Sequence, residues 1–235
     1  MPADPLDNPV WHALVGAHAG FAIGSGGARH YPRDIAPFSA IAEPILAAYA
    51  DLSEDLPAGM GARLFRPRNE PTPQGWEIIS ARPIMQMVFD RSEAPTPRDF
   101  QARVFSLGGD DVPEMLALVD IARPGPFALR TIELGSYVGV RQAATRQLVA
   151  IGGERFRLSP HVELSAVSVH PGARGRGLGA AVTAHLTNPA LARGLVSFLH
   201  VLPGNPAVEL YKRLGFRERT RLWVLWRRPL ANGAE

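Results

Sequence analysis

The segment Arg174-Gly-Arg-Gly-Leu-Gly-Ala180 combines the residue types that bind phosphate groups. Its glycines let a ligand approach the backbone closely, and Arg174 and Arg176 carry guanidinium groups whose N–H donors fit phosphate oxygens. Apolar residues then repeat with helical spacing, which predicts a helix from about Gly177 to Thr187. A helix that begins in such a turn presents unpaired N–H groups and the positive end of its dipole, so the sequence predicts a phosphate-binding loop here.

Two common phosphate-binding motifs fit this loop poorly. A P-loop requires Gly-Lys-Ser/Thr, and the sole lysine of the sequence is Lys212. A dinucleotide-binding turn is matched by Gly175, Gly177 and Ala180, but the next predicted strand, Val196 to Leu202, carries no acidic residue to bind a ribose. An NAD(P)-dependent oxidoreductase is therefore the weaker alternative.

The predicted strand before the loop, His161 to Val169, contains an interruption in its alternation. Its apolar residues fall on every second position as far as Ala166 and then shift by one at Val167. A β-bulge would produce this shift and would leave backbone N–H and C=O groups free for a ligand. A strand that is buried on both faces would also fit the pattern.

Arg174, Gly177 and Gly179 form an R-x-x-G-x-G motif, and a second motif follows at Asn205-Pro-Ala-Val-Glu-Leu-Tyr211-Lys-Arg-Leu-Gly-Phe216. In these two segments the chain resembles the GNAT superfamily of acyl-CoA-dependent N-acyltransferases. The resemblance is strongest over 160–217 and extends over 102–228. It implies a mixed sheet in which two neighbouring parallel strands splay apart to admit acetyl-CoA as co-substrate.

The resemblance also implies roles for individual residues. Tyr211 would be the general acid for the leaving thiolate, since a tyrosine has a pKa of about 10 and a thiol one of about 8.5. Glu163 would be the base that takes the proton of the amine. Contacts with acetyl-CoA would come from the central strand, the loop and the start of the last helix: Val167, Ser168, Val169, Arg174, Gly175, Arg176, Gly177, Leu178, Gly179, Ala180 and Asn205.

Each of these roles has a plainer alternative. Tyr211 would otherwise fill the core, Glu163 would be an exposed strand residue while water carries the proton, and Asn205 would cap its helix. Arg176 would be an exposed loop residue.

The acceptor is expected near the segment between the first helix and the second strand of the resembling region. There, Phe127 and Arg130 would contact a small substrate, or they would be part of the scaffold. A roof formed by the N-terminal hundred residues would favour a small-molecule amine over a protein tail.

The elements that must position these residues form an α/β (α+β) fold. A proline-rich stretch, Ser92 to Arg98, predicts a linker between an N-terminal α/β extension, 1–98, and a GNAT-like catalytic domain, 99–235. The extension is interpreted as a possible degenerate partial copy of the fold. Its segment Trp76 to Phe89 predicts one or two strands broken at Pro83, and Asp111 with Glu114 predicts a capping box at the first helix of the catalytic domain.

Composition excludes several other classes. The 235 residues are 46% hydrophobic and 20% charged, which is typical of a globular protein. The net charge is only +3 and the arginines are scattered, with Arg155 and Arg157 interpreted as part of a solvated sheet face, so no nucleic-acid partner is expected. With 0 cysteines and 7 histidines at no metal-binding spacing, no metal is expected.

No apolar run is long enough to span a membrane and no signal peptide is visible, so we expect a cytoplasmic monomer or homodimer. A non-catalytic acyl-CoA-binding regulatory module stays open as the main alternative to an enzyme.

Overall fold

The computed structural model describes residues 4–92 and 103–230. The strands are β1 Ala28–His30, β2 Ser39–Ile41, β3 Ala62–Arg66, β4 Trp76–Phe89, β5 Val104–Leu107, β6 Tyr137–Arg141, β7 Leu148–Leu158, β8 His161–Val169, β9 Val196–Val201 and β10 Phe216–Pro229. The helices are α1 Pro9–Leu14, α2 Leu46–Asp55, α3 Val112–Ala122, α4 Leu178–Ala192 and α5 Ala207–Leu214. Among the helices of these ranges, none is long and apolar enough to cross a membrane.

Eight of the strands form one mixed sheet in the order β3-β10-β4-β9-β8-β7-β6-β5. Neighbouring strands are antiparallel except β8 and β9, which run parallel. The parallel pairing stops at Leu164 and Leu199, so the last five residues of β8 have no partner on the β9 side. The two strands thus splay apart, as the resemblance implied.

A β-bulge lies at the point where the sequence alternation shifts. Ser168 pairs with Ile151 and Ser165 with Gly153, which leaves Ala166 and Val167 together opposite the single residue Gly152. Ala166, the first residue of the bulge, has the left-handed φ of 54° that is found in G1-type bulges. The predicted bulge is confirmed.

The N-terminal region completes the sheet. β4 lies between β9 and β10, and β3 forms the far edge, so strands from both sides of the predicted boundary share one sheet. Residues 93–98 of the predicted linker lie outside the described residues. β4 runs unbroken through Pro83, because β9 pairs only with Met85–Val88 and the missing N–H at Pro83 costs no bond on that edge.

At α3, the predicted capping box is wrong. The Asp111 carboxylate accepts a hydrogen bond from the Gly108 N–H at 2.8 Å and pairs with Arg141 at 2.6 Å. Glu114 also binds Arg141, at 2.8 Å. Both acidic side chains are therefore used by other partners and do not cap the helix.

The two faces of the sheet carry separate core clusters. On one face Met85 and Met87 pack with Leu178 of α4 and Tyr211 of α5. On the other face the N-terminal segment packs aromatic and aliphatic side chains, among them Phe38, against the sheet. Residues that alternate along β4 and β9 therefore face either α4 and α5 or the N-terminal segment.

Candidate active site

A cavity of about 1240 Å³ passes through the opening between β8 and β9. On the α4–α5 face it is lined by Leu178 and Tyr211. On the opposite face it is lined by Phe65 and Ile84, which belong to the second core cluster. A ligand that enters at the start of α4 can therefore reach the N-terminal face through the sheet.

The free edge of β8 directs backbone donors into this opening. The His170 N–H donates to the Val149 carbonyl at 2.8 Å, so His170 points its N–H toward β7. Because consecutive strand residues point their N–H groups to opposite edges, Val169 points its N–H toward the cavity, and Val167 lies in the bulge just before it. Both residues line it, as does Ser168, whose hydroxyl donates to the Ala166 carbonyl at 2.9 Å.

The loop before α4 supplies a second set of free donors. Gly175 and Gly177 have φ angles of 75° and 74°, which only glycine adopts without strain. The first helical hydrogen bond runs from the Ala181 N–H to the Gly177 carbonyl at 3.0 Å. The N–H groups of residues 178–180 precede that bond and none of the described side chains caps them, so they are available to an anion at the cavity mouth.

The charge of the cavity wall suits a polyanion. Among the described residues that line the cavity there is no Asp or Glu, whereas six are arginine: Arg63, Arg82, Arg123, Arg155, Arg174 and Arg213. Of these, Arg174 lies in the loop, Arg213 on α5 and Arg123 at the end of α3. These residues, together with the free N–H groups, fit the phosphate groups of acetyl-CoA, and the opening between β8 and β9 fits its narrow pantetheine arm.

One predicted contact residue lies outside the main cavity, and another lines it but also caps a helix. Arg176 lines a neighbouring hollow of about 280 Å³ with Arg141 and His170, outside the main cavity. Asn205 lines the main cavity, and its Oδ1 also accepts a hydrogen bond from the Ala207 N–H at 2.9 Å, so it caps α5 as well.

Tyr211 lies on α5 beside the cavity with 8% of its surface exposed. Its ring contacts Phe216 edge-on at 6.0 Å, and its hydroxyl makes no hydrogen bond to any described residue. Burial raises the pKa of the phenol to about 12. The hydroxyl is therefore protonated at neutral pH and free to donate to a ligand atom.

Glu163 does not line the cavity and is fully buried. Its carboxylate accepts hydrogen bonds from Arg155 Nε at 2.7 Å and Nη2 at 2.6 Å, and from His200 Nδ1 at 2.6 Å. Burial raises the pKa of this carboxyl, but the charge of Arg155 and the three hydrogen bonds outweigh it and lower the pKa to about 2. This geometry is unfavourable for the role of direct base and favours a structural ion pair.

The same contacts correct the interpretation of Arg155 as a solvated residue. Only 8% of Arg155 is exposed, and its guanidinium stacks on Phe38 and Phe156 at 4.8 Å and 4.6 Å. The strand alternation shows that Arg155 and Arg157 share a face, but it does not show that the N-terminal segment covers Arg155.

His200 lines the cavity, and its protonation state follows from its neighbours. The Gln86 Oε1 accepts a hydrogen bond from Arg219 at 2.9 Å, and the Gln86 amide nitrogen donates to the Leu6 carbonyl at 2.9 Å. That nitrogen lies 3.1 Å from His200 Nε2, which must accept, so the hydrogen of the ring is on Nδ1 and points to Glu163. Burial lowers the pKa of His200, which keeps the ring neutral.

The predicted acceptor residues lie away from the cavity. Phe127 packs edge-on against Tyr137 at 5.7 Å, and Arg130 pairs with Glu133 at 2.7 Å and with Asp34 at 3.2 Å. Neither Phe127 nor Arg130 lines the cavity; the adjacent residues 122–126 do. These contacts favour the alternative that Phe127 and Arg130 are part of the scaffold, and their contact with the acceptor stays a prediction.

The far wall comes instead from residues that no motif marks. β3, β4 and β10 contribute it, with Phe38 from the N-terminal segment: Arg63, Phe65, Ile79, Ser80, Arg82, Ile84, Val224 and Trp226. The alternation of these strands identifies which residues share a face but not which face meets the opening, so the sequence carries no direct signal for them.

Comparisons with known proteins agree with this architecture. A family model described as FR47-like protein matches residues 137–224. A crystal structure from Novosphingobium aromaticivorans, of a protein assigned to the GNAT family of acetyltransferases, is 34% identical, covers 97% of this chain and 100% of its own, and has a TM-score of 0.87.

More distant structures share the fold. A GCN5-related N-acetyltransferase from Kribbella flavida is 18% identical over 98% of both chains, with a TM-score of 0.63. Another from Sphaerobacter thermophilus is 16% identical over 89% of this chain and 78% of its own, with a TM-score of 0.54. No curated protein matches the chain significantly.

Proposed function

Because this chain belongs to the GNAT family of acetyltransferases, we propose that it transfers the acetyl group of acetyl-CoA directly to a primary amine of a small molecule, with Tyr211 as the general acid. The observation that carries the proposal is the cavity through the sheet, with unpaired backbone donors along one side and no carboxylate in its described wall. Acetyl-CoA supplies the activated thioester. The residues of the chain bind it, orient it and donate a proton to the leaving thiolate.

The backbone holds the co-substrate. The N–H groups of Val167 and Val169 bind the amides of the pantetheine arm, and those of Leu178, Gly179 and Ala180 bind the pyrophosphate together with Arg174. A backbone N–H beside the bulge stabilises the negative charge that grows on the thioester oxygen as the amine attacks. None of these donors has to break a sheet bond first, because β8 has no partner on that edge.

Tyr211 donates its hydroxyl proton toward the sulfur as the carbon–sulfur bond breaks. Full transfer from a phenol of pKa about 12 to a free thiolate of pKa about 8.5 would be uphill by roughly 5 kcal/mol. The same apolar surroundings raise the pKa of the thiol, because burial disfavours the thiolate. The difference in pKa between the Tyr211 phenol and the thiol is therefore smaller in the cavity. A hydrogen bond from Tyr211 thus stabilises the leaving group at neutral pH.

The amine loses its proton to water rather than to a side chain. The carboxylate of Glu163 is hydrogen-bonded to Arg155 and His200, and both ring nitrogens of His200 are hydrogen-bonded as well. Of the two routes that the sequence left open, the water route fits the cavity. Glu163 then acts as a positioning residue that fixes His200 and the junction of β8 and β9.

The experiment is a steady-state assay of thiol release from acetyl-CoA with a panel of small amines, together with calorimetric titration of acetyl-CoA and NADH. The proposal predicts that acetyl-CoA binds, that NADH does not, and that at least one small amine releases thiol at a rate above hydrolysis. Binding of acetyl-CoA without release from any amine would instead support a regulatory binding module.

A further inference from the structure

The part of the cavity on the N-terminal face carries positive charge. Arg63 on β3 and Arg82 on β4 line it, and both flank β10. Trp226 pairs with Arg63 on one side and Ser80 on the other, and Val224 lies opposite Arg82 in the neighbouring row. The two arginines thus belong to one continuous surface of three adjacent strands.

This surface is separated by the sheet from the phosphate-binding loop. Val224, which pairs with Arg82, and Ile84, two residues along β4 from Arg82, pack in the cluster of the N-terminal face. Leu178 and Tyr211 pack in the cluster of the other face. In the proposed function, Arg174 of the loop binds the phosphate end of acetyl-CoA. Arg63 and Arg82 therefore face an acceptor that approaches the thioester from the opposite side of the sheet.

Neither guanidinium has an acidic partner within the described ranges. Arg63 is stacked over the Trp226 ring at 4.4 Å and is only partly exposed, and burial lowers its pKa. Arg82 is exposed toward the cavity and makes no ion pair or hydrogen bond to a described residue. Arg155, the other arginine on this face, is neutralised by Glu163.

We infer that the acceptor is an amine that also carries an acidic oxyanion, a carboxylate or a phosphate, and that Arg63 and Arg82 bind that group while the amine points to the opening between β8 and β9. A half-buried guanidinium without a counter-charge is costly to desolvate, and a carboxylate or phosphate offers two oxygens to its N–H fork. A polycationic amine would meet two positive charges and no compensating carboxylate among the described residues of this wall. Phe65 and Trp226 add apolar surface beside the charges. The inference rests on the proposed function, since it names the substrate class of the same site.

The test compares matched amines as acceptors for thiol release: alanine against ethylamine, phenylalanine against 2-phenylethylamine, and O-phosphoethanolamine against ethanolamine. We expect kcat/KM to be about 10- to 100-fold higher for the acidic member of at least one pair, the size of one or two charge-assisted hydrogen bonds. The first two pairs report a preference for carboxylate, and the third a preference for phosphate.

Variants assign the preference to the two arginines. Arg82→Gln and Arg63→Gln should raise KM for the acidic amine about 10-fold each, with little change for its neutral counterpart or for acetyl-CoA. Arg68→Gln, at an exposed arginine just after β3 that does not line the cavity, is the matched control and should change nothing. Because Arg63 stacks on Trp226 and its loss can disturb the fold, Arg82→Gln is the decisive variant, and its unfolding midpoint should match that of the wild type.

Equal or better use of the neutral amines, or an unchanged KM in Arg82→Gln, would overturn the inference and leave the proposed function standing. Failure of every amine, acidic or neutral, while acetyl-CoA still binds would overturn the proposed function and the inference together.

Discussion

Glu163 and Arg155 form a two-armed ion pair beneath the cavity, with Oε2 to Nε at 2.7 Å and Oε1 to Nη2 at 2.6 Å. Both side chains are removed from water, and His200 adds a third hydrogen bond to the same carboxylate. A buried pair of this kind is strongly destabilising when one partner is lost, because the other charge then stays buried without compensation. The stability of the fold therefore depends on the ionisation of Glu163.

Glu163→Gln should lower the free energy of unfolding by about 3–5 kcal/mol at pH 7, measured by urea denaturation. The folded pKa, about 2, lies below the usual 4.5, so the contribution of Glu163 is present above pH 4.5 and is lost as the pH falls toward 2. The difference between wild type and variant should shrink by about 3 kcal/mol over that window.

Glu209→Gln is the control for this comparison. Glu209 pairs with Lys212 at 2.8 Å on the exposed surface of α5, where an ion pair contributes little. The substitution Glu209→Gln should leave the urea midpoint of unfolding nearly unchanged. A Glu163→Gln variant as stable as the wild type at pH 7 would mean that the buried pair does not support the fold.

The pH dependence of catalysis should follow the acceptor and not the enzyme. Since none of the described residues that line the cavity is a carboxylate or a free imidazole, kcat/KM should rise with pH until the amine is neutral. Two acceptors with well-separated amine pKa values, for instance about 8 and about 10.4, should give pH profiles displaced by the same amount. The same apparent pKa with both acceptors would point to a base on the protein.

Tyr211→Phe should lower kcat about 100-fold or more and leave the Kd for acetyl-CoA unchanged, because it removes a proton donor but no binding surface. Stopped assays of thiol release and calorimetry measure the two quantities. Tyr137→Phe is a matched control, since Tyr137 is equally buried, does not line the cavity, and its hydroxyl has no partner among the described residues. An active Tyr211→Phe enzyme would show that Tyr211 only fills the core.

Gly175→Ala should weaken acetyl-CoA binding about 5-fold. The φ of 75° strains any residue with a Cβ by about 1 kcal/mol, and the loop can relax only by moving its donors. Gly194→Ala carries the same strain at a φ of 72° beyond the end of α4, with equally open space around its Cβ. Equal losses of affinity in the two variants would contradict a role for the loop in binding.

The sequence predicts those parts of the site that depend on short continuous segments of the chain. The bulge at Ala166, the glycine loop and the left-handed Gly215 after α5 each leave a local mark, and the structure contains all three. β8 and α5 end where the pattern places their ends, at Val169 and Leu214.

The parts that the sequence does not predict depend on contacts between distant segments. β4 pairs with β10, more than a hundred residues later in the chain, and this pairing brings Arg82 to the cavity. Glu163 is an ordinary strand residue by its spacing, and its burial follows from Arg155 on the neighbouring strand, whose guanidinium packs against Phe38 of the N-terminal segment. No local pattern encodes these long-range contacts.

In the proposed function, the backbone donors of β8 and α4 hold the pantetheine and pyrophosphate of acetyl-CoA. Amide hydrogen exchange of the full chain, followed by mass spectrometry with and without saturating acetyl-CoA, tests it most directly. We expect slower exchange in the peptides that cover 165–169 and 177–181, and no such change with NADH. Unchanged exchange in both segments at a concentration of acetyl-CoA that saturates binding would contradict it.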